Sequence, residues 1–556
     1  MVELKASAVA RSGGGWNPLT LALVAGLWIA TLCNWPLWLA LARLPEMASP
    51  RGALFIAGFG VMVAALTTGL LALAAWRLSI KPAIAFFVLS AAIGAYFMGS
   101  YGIVLDPTMM TNVLQTNPRE VGDLLSLQLA GSVLVLALLP LAWLWRVPVR
   151  AARWPAQVLR NGLAVLACIA LLAALIVALF ADLSATMRNH RSLRYLINPV
   201  NAYYSLGVLA VQSTARPAGP LQPIGAGARV AERAAGSRPP LLVLVIGETA
   251  RADHFSLNGY ARPTNPELAQ DHVVSFRDVT SCGTNTAASL PCMFSALGRS
   301  AYEARDRDQE NLLDLVQHAG LAVLWLDNQS GCKSLCDRVP HAAAIDAAPD
   351  AAAPPAALCS DGECYDEALL YNLDARLAAL PAERRSRGVL LVLHQMGSHG
   401  PAYYKRSPTD RKPFRPECAT PVLQECTLDA VVNAYDNSIA YTDHMLADTI
   451  RWLGRQTASY DPTLLYLSDH GESLGENNLY LHGLPYAFAP REQTHVPMVA
   501  WLGPTPADSR QIDCLRRRRD TPLSHDAMFH TVLGVLGIEA SEYQKALDAF
   551  APCRGH

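Results

Sequence analysis

Apolar residues fill the first third of the chain in five blocks, each near the roughly 20 residues that cross a bilayer as a helix. The pattern predicts spans at Leu19–Leu41, Gly52–Trp76, Pro82–Val104, Leu127–Trp145 and Gly162–Ala181. A single block of this kind reads equally well as a buried soluble helix, but five in succession do not. The first is too long, and too closely followed by others, to be a cleaved leader. Beyond residue 181 the pattern changes. Leu183–Leu206 is basic and then aromatic, the composition of an interfacial helix or of a plain connecting helix. Thr214–Pro240, rich in Pro, Gly and Ala, reads as a linker.

From Leu241 onward the apolar runs shorten. LLVLVIGE (241–248), LAVLWLDN (321–328), VLLVLHQM (389–396), TLLYLSDH (463–470) and VPMVAWLG (496–503) are separated by helix-sized intervals. Such runs predict buried parallel strands in an α/β sandwich. The Ala/Pro-rich stretch His341–Ala357 reads as a surface insertion. The expected organisation is a membrane helical domain (1–182), an interfacial helix and linker (183–240), and an α/β domain (241–556).

Composition agrees. The chain has 556 residues, 52% of them hydrophobic, and a mean hydropathy of +0.20, too apolar for an ordinary soluble enzyme. A net charge of −1 gives no electrostatic case for a nucleic-acid partner. Basic residues in short loops mark the cytoplasmic side. Lys5, Arg11, Arg77, Lys81, Arg146, Arg150, Arg153 and Arg160 lie on one side, against Arg43, Arg51 and Arg119 on the other. The N-terminus is therefore expected inside and the α/β domain on the far side of the membrane, which in a Gram-negative cell is the periplasm. Of the 12 cysteines, Cys33 and Cys168 fall in spans and ten fall in the C-terminal part. Sequence proximity pairs Cys282 with Cys292, Cys332 with Cys336, Cys359 with Cys364 and Cys418 with Cys426, leaving Cys514 for Cys553. That connectivity is not fixed by sequence. The spacings lack the paired C-x2-C units of a zinc ribbon, and disulfides suit an oxidising compartment.

Ligands bind at the carboxyl ends of parallel strands, so the polar residues there are the first candidates for chemistry. Glu248 ends the first run, Asp469 and His470 end the fourth, and Thr286 follows SCGTN. Singly, Glu248 is also a helix cap and Asp469-His470 a turn. Jointly they form a carboxylate and imidazole set suited to zinc, with manganese open by ligand type. Thr286 opens a predicted helix over 287–297, where backbone N–H groups favour a phosphate, although threonine is also an ordinary N-cap. A bound metal would activate its hydroxyl as a nucleophile. The residues alone do not separate Thr286 from Thr284. His399 and His482, in polar loops after strands, are candidates for a second metal or for substrate; His394 and His495 read as structural.

Four long segments in order, LVIGETARADHFSLNGYARPTNP (244–266), SCGTNTAASLPCMFS (281–295), GSHGPAYYKR (397–406) and SDHGESLGENNLYLHG (468–483), closely resemble the lipid A phosphoethanolamine transferase family. That family includes the mobile colistin-resistance enzymes and belongs to the alkaline phosphatase/sulfatase superfamily. The resemblance covers the whole chain and implies five membrane helices and an alkaline-phosphatase-like domain. It implies a zinc ion held by Glu248, Thr286, Asp469 and His470, with Thr286 rather than Thr284 as the nucleophile, and His399 and His482 at a second zinc or at the substrate. MTNVLQTNPRE (110–120) matches the segment that contacts the donor headgroup, here through Asn112, Thr116 and Glu120, whose spacing of four puts them on one helical face. GENNLY and SGCKSLC vary around the family pattern. The implied reaction moves phosphoethanolamine from phosphatidylethanolamine to a lipid A phosphate through a covalent Thr286 intermediate, in a monomer, and lowers the surface charge that cationic peptides such as polymyxins need. A transferase acting on lipopolysaccharide core sugars, a glycerol-phosphate transferase and a catalytically dead membrane sensor are the alternatives. A sulfatase would need C/S-x-P-x-R, which CMFSALGR does not supply.

Overall fold

The computed structural model describes residues 15–554 apart from 117, 216–218, 361 and 505. Lys5 and Arg11 of the charge count lie outside the described residues, as do residues 216–218 of the linker. The chain divides into two units, Met1–Pro107 with Leu125–Val208, and Thr108–Leu124 with Leu209–His556.

In the first unit Pro50–Leu73, Ile80–Tyr101, Leu127–Arg146 and Trp154–Ala178 are long and apolar enough to cross a membrane. The first expected span is not one straight helix. Pro18–Thr31 and Trp35–Ala42 meet at a bend of 45°. Pro36 lacks the N–H that would continue the ladder, and Asn34 fills the break. The buried Asn34 amide donates to Ile29 O (2.9 Å) and Asn198 O (2.7 Å), and accepts from Asn198 N (2.9 Å). Backbone groups in lipid need such partners. Pro140 leaves a similar gap in the fourth span, beside a π-turn at Leu134–Leu138, and the Trp28 indole donates to Leu136 O at 2.9 Å. The fifth helix begins at Trp154, ahead of the expected Gly162. Leu183–Leu206 is broken as well, into Phe180–Asn189, a turn at Arg191–Leu196 and Val200–Ala215.

The second unit is built on an eight-stranded sheet: β1 Pro240–Gly247, β2 Val274–Thr280, β3 Ala322–Asp327, β4 His341–Ala343, β5 Val389–His394, β6 Asp461–Ser468, β7 His495–Leu502 and β8 Leu523–Ser524. The strand order is β8-β2-β7-β6-β1-β5-β3-β4. The α/β sandwich read from sequence is present, with three corrections. VPMVAWLG is a strand, but β7 runs antiparallel to both β6 and β2. Val274–Thr280 is a strand the apolar pattern did not flag, because Arg277 and Asp278 interrupt it. His341–Ala343, placed in a coreless insertion, pairs as the edge strand beside β3. Along β1, Leu242, Leu244 and Ile246 enter one core while Leu241, Val243 and Val245 enter the other, so the central strand is buried on both faces. The long helix Leu428–Gln456 covers the second face. Disulfides join Cys282–Cys292, Cys332–Cys336, Cys359–Cys364, Cys418–Cys426 and Cys514–Cys553.

Candidate active site

The in-register pairing of β1 with β6 is what brings the candidate residues at the strand ends together. Gly247 lies opposite Ser468, so the next residues, Glu248 and Asp469, emerge side by side. The chain then turns sharply at Thr249, whose φ of 54° is unusual for a β-branched residue and marks stored strain. Tyr435 on the long helix holds this turn: its buried hydroxyl donates to Thr249 O (2.7 Å) and accepts from Arg251 N (2.9 Å). Gly397 approaches from the β5 loop with φ +53°, and a Cβ there would stand 2.7 Å from Glu248 O. Only glycine suits that position.

Thr286 is the first residue of the helix Thr286–Met293, shorter than expected, and Asn285 caps it by accepting from Ala288 N at 2.9 Å. The Thr286 hydroxyl donates to Glu248 Oε2 at 3.0 Å and lies 3.4 Å from His470 Nε2. Thr284 is distinguished by its contacts, since its hydroxyl donates to Leu484 O at 2.6 Å, away from the carboxylates. His525, which the sequence reading missed, underpins this loop. Its Nδ1 accepts from Cys282 N (3.0 Å), so its Nε2 carries the proton toward Ser468 O (2.9 Å), and burial holds its pKa down at about 3. Nothing in the sequence around SHD sets this histidine apart.

Glu248, Asp469 and His470 are fully buried, with ligand atoms within 4.8 Å of one another. His470 Nε2 lies 3.2 Å from Glu248 Oε1 and 3.4 Å from Asp469 Oδ2. Burial opposes the imidazolium, but the charges of Asp469 and Glu248 prevail and raise the His470 pKa; burial and the Glu248 charge raise that of Asp469. Glu248 Oε1 and Asp469 Oδ2 are buried without a hydrogen bond. Orphaned anionic oxygens are costly in a protein interior, and two of them converging with an imidazole and a hydroxyl are a donor set that a divalent cation fits.

His399 and His482 stand at the same centre. Their ring centroids are 5.5 Å apart, and His482 is 4.4 Å from His470. Glu472, also missed in the sequence, fixes His482 by meeting its Nδ1 at 2.7 Å, while Tyr403 donates to the other Glu472 oxygen at 2.6 Å. That bond leaves Nε2 as the free nitrogen. Burial pushes the His399 pKa down to about 3, and its Nδ1 has no hydrogen bond, so the ring is neutral with a lone pair available. By contrast His394 pairs with Asp327 (2.9 Å) and His495 meets Arg277 O (2.7 Å).

Asn112, Thr116 and Glu120 do not share one helix. Pro107–Gln115 and Pro118–Leu124 are separate helices, the second opening on Pro118, which has no N–H to continue the first. Asn112 and Thr116 are half-buried, and Thr116 donates to Asn112 O at 2.8 Å. Glu120 is hydrogen-bonded to Ser330; burial and the charge of Glu248 raise its pKa.

A sequence profile for sulfatases matches residues 240–538, and one for the phosphoethanolamine transferases EptA/EptB matches residues 63–214. Phosphoethanolamine transferase EptA of Salmonella typhimurium is 41% identical over 483 residues, covering 84% of each chain. Phosphatidylethanolamine transferase Mcr-1 of Escherichia coli is 38% identical over 491 residues, covering 87% of this chain and 88% of that one. The solved structure of the integral membrane lipooligosaccharide phosphoethanolamine transferase A from Neisseria meningitidis superimposes with a TM-score of 0.89 at 33% identity, covering 96% of this chain and 98% of that one. A bundle of apolar membrane helices followed by an alkaline-phosphatase-like α/β unit is thus the class defined by the fold. Within it, the chain belongs to the EptA family of phosphoethanolamine transferases.

Proposed function

We propose that this protein transfers phosphoethanolamine from phosphatidylethanolamine to a lipid A phosphate, using Thr286 as a covalent nucleophile at a zinc centre on the periplasmic side of a Gram-negative inner membrane. The observation that carries the reading is the Thr286 hydroxyl at a helix N-terminus, 3.0 Å from a buried carboxylate in a cluster with two unpartnered oxygens. Glu248, Asp469, His470 and Thr286 would hold the zinc. When bound it supplies Lewis-acid polarisation of the phosphoryl group and acidifies the threonine hydroxyl.

The rest is the work of the chain's own groups. Thr286 Oγ1 attacks phosphorus, and its hydrogen bond to Glu248 Oε2 marks the path by which its proton leaves. The helix N-terminus faces the charge that develops on the phosphoryl oxygens. The bond from phosphorus to the diacylglycerol oxygen breaks, and that oxygen takes up a proton. His399 and His482 are the imidazoles at hand for that transfer or for a second zinc. A lipid A phosphate oxygen then attacks the phosphothreonine, restoring the hydroxyl. The donor headgroup is held by Asn112, Thr116 and Glu120. The product adds a protonated primary amine beside phosphates that stay anionic, and the lower net negative charge weakens attraction to polymyxins.

The test compares wild type with Thr286→Ala in a polymyxin-sensitive Gram-negative strain, by mass spectrometry of extracted lipid A. Phosphoethanolamine on lipid A in the wild type alone is expected, together with raised polymyxin tolerance. Unmodified lipid A with phosphoethanolamine on the core sugars would overturn the acceptor. Unmodified lipopolysaccharide throughout would overturn the reaction.

A further inference from the structure

The segment Thr108–Leu124 belongs to the α/β unit although it is flanked on both sides by membrane helices in the sequence. Its attachment has two ends. At one, Met109 is buried against Gly483, the residue after His482; a Cβ at Gly483 would stand 2.4 Å from the Met109 Cε, and the backbone there has φ +90°. At the other, the buried Asp123 carboxylate receives both Lys405 and Arg406, the latter at 3.0 Å. The same Arg406 guanidinium donates through Nε to His399 O at 2.8 Å. One arginine, itself buried, therefore grips the segment and the loop of a site histidine together. Glu120, three residues before Asp123, is hydrogen-bonded to Ser330.

A surface ion pair would contribute little. This one is buried, so both partners have given up water, and breaking it leaves the Arg406 charge without its counter-ion. The contact also spans chemistry assigned to different parts of the sequence.

We propose that Asp123 is a positioning residue for the lipid donor: its ion pairs with Arg406 and Lys405, together with the Met109–Gly483 contact, strap the headgroup-binding segment across the loops that carry His399 and His482. This rests on the proposed reading of phosphatidylethanolamine as donor. Asp123 itself touches no reacting atom. Its contribution is to hold Asn112, Thr116 and Glu120 in place to bind the headgroup, equally before and during reaction. The bond-making machinery at Glu248, Asp469 and His470 does not depend on it.

The experiment uses the full chain in detergent with phosphatidylethanolamine in mixed micelles, following diacylglycerol release. Loss of an interaction that serves binding alone raises KM and spares kcat. Asp123→Asn is expected to raise KM about tenfold or more while kcat stays within about twofold, and Asp123→Glu to recover most of the loss. Met109→Ala, which leaves every charge in place, is expected to raise KM in the same direction, and it carries the test if Asp123→Asn does not fold. Bound zinc and the thermal midpoint are measured alongside. An unchanged KM in the variants overturns the proposal, as does a fall in kcat together with zinc loss, which would make Asp123 a merely structural residue. Absence of diacylglycerol release by the wild type would instead overturn the donor assignment, and the inference with it.

Discussion

Removing one oxygen from Tyr435 tests whether the strained turn after Glu248 is held in place by the long helix. In Tyr435→Phe the aromatic packing survives, but Thr249 O loses a donor at 2.7 Å and Arg251 N loses an acceptor at 2.9 Å. Both groups sit in a fully buried environment around a residue with φ 54°, so water cannot easily replace the hydroxyl. An orphaned buried polar group costs about 1–3 kcal/mol, so the pair costs roughly 2–4 kcal/mol once some relaxation is allowed. Each 1.4 kcal/mol felt at a binding equilibrium is about tenfold, so if half the loss falls on the Glu248 conformation, zinc affinity drops by about tenfold. The assay is chelator competition on the full chain in detergent, with thermal unfolding of the same samples. A lower thermal midpoint with weaker zinc retention is expected. Zinc affinity within about twofold of wild type, with a midpoint moved by less than about one degree, would refute the view that Tyr435 positions Glu248.

Gly397→Ala forces a side chain into a left-handed conformation and against Glu248 O; it should cost about 1–3 kcal/mol or more and deplete zinc, read by metal analysis and thermal unfolding. Thr284→Val and Thr286→Ala should separate two neighbouring hydroxyls. The first loosens the link to Leu484 O and lowers activity partially, whereas the second abolishes diacylglycerol release with the fold intact; equal loss in both would contradict the assignment. His444 is raised above its ordinary pKa chiefly by its hydrogen bond to Glu367, with Glu267 adding to the effect and burial opposing it. The stability this provides is fully present below the unfolded histidine value of about 6.5 and is lost as pH rises through the raised folded value. The deficit of His444→Gln in thermal midpoint should therefore be larger near about pH 6 than near about pH 9, and a deficit independent of pH would count against it.

Much of the architecture was legible because burial on both faces leaves an unmistakable apolar run. β1, β3, β5, β6 and β7 all carry one. What a run does not encode is direction, so the antiparallel β7 could be recognised as a strand but not oriented. β2 escaped because Arg277 and Asp278 are half-exposed on it, and a strand that meets solvent loses the continuous signal. In the membrane unit, the break at Asn34-Pro36 did leave a mark in the sequence, but hydropathy averages over one polar residue and one proline. The clustering of Glu248, Asp469 and His470 was legible from the rule that parallel sheets present their polar side chains at strand ends. The supporting groups Tyr435, His525 and Asp123 were not, because each acts across a long stretch of chain, and Glu472, ten residues from His482, resembles an ordinary polar residue in its own neighbourhood. The choice between Thr284 and Thr286 needed the family motif in sequence, and in three dimensions it reduces to which hydroxyl faces Glu248.

Covalent modification of Thr286 is open to direct trapping. Purified full-length protein is incubated with phosphatidylethanolamine and no acceptor, digested, and the peptides spanning 281–295 are sequenced by mass spectrometry. An aminoethyl phosphate group is expected on Thr286, absent from Thr286→Ala and removed when lipid A is added. Modification at Thr284 instead, or steady transfer to lipid A with Thr286 never modified under rapid quench, would contradict it.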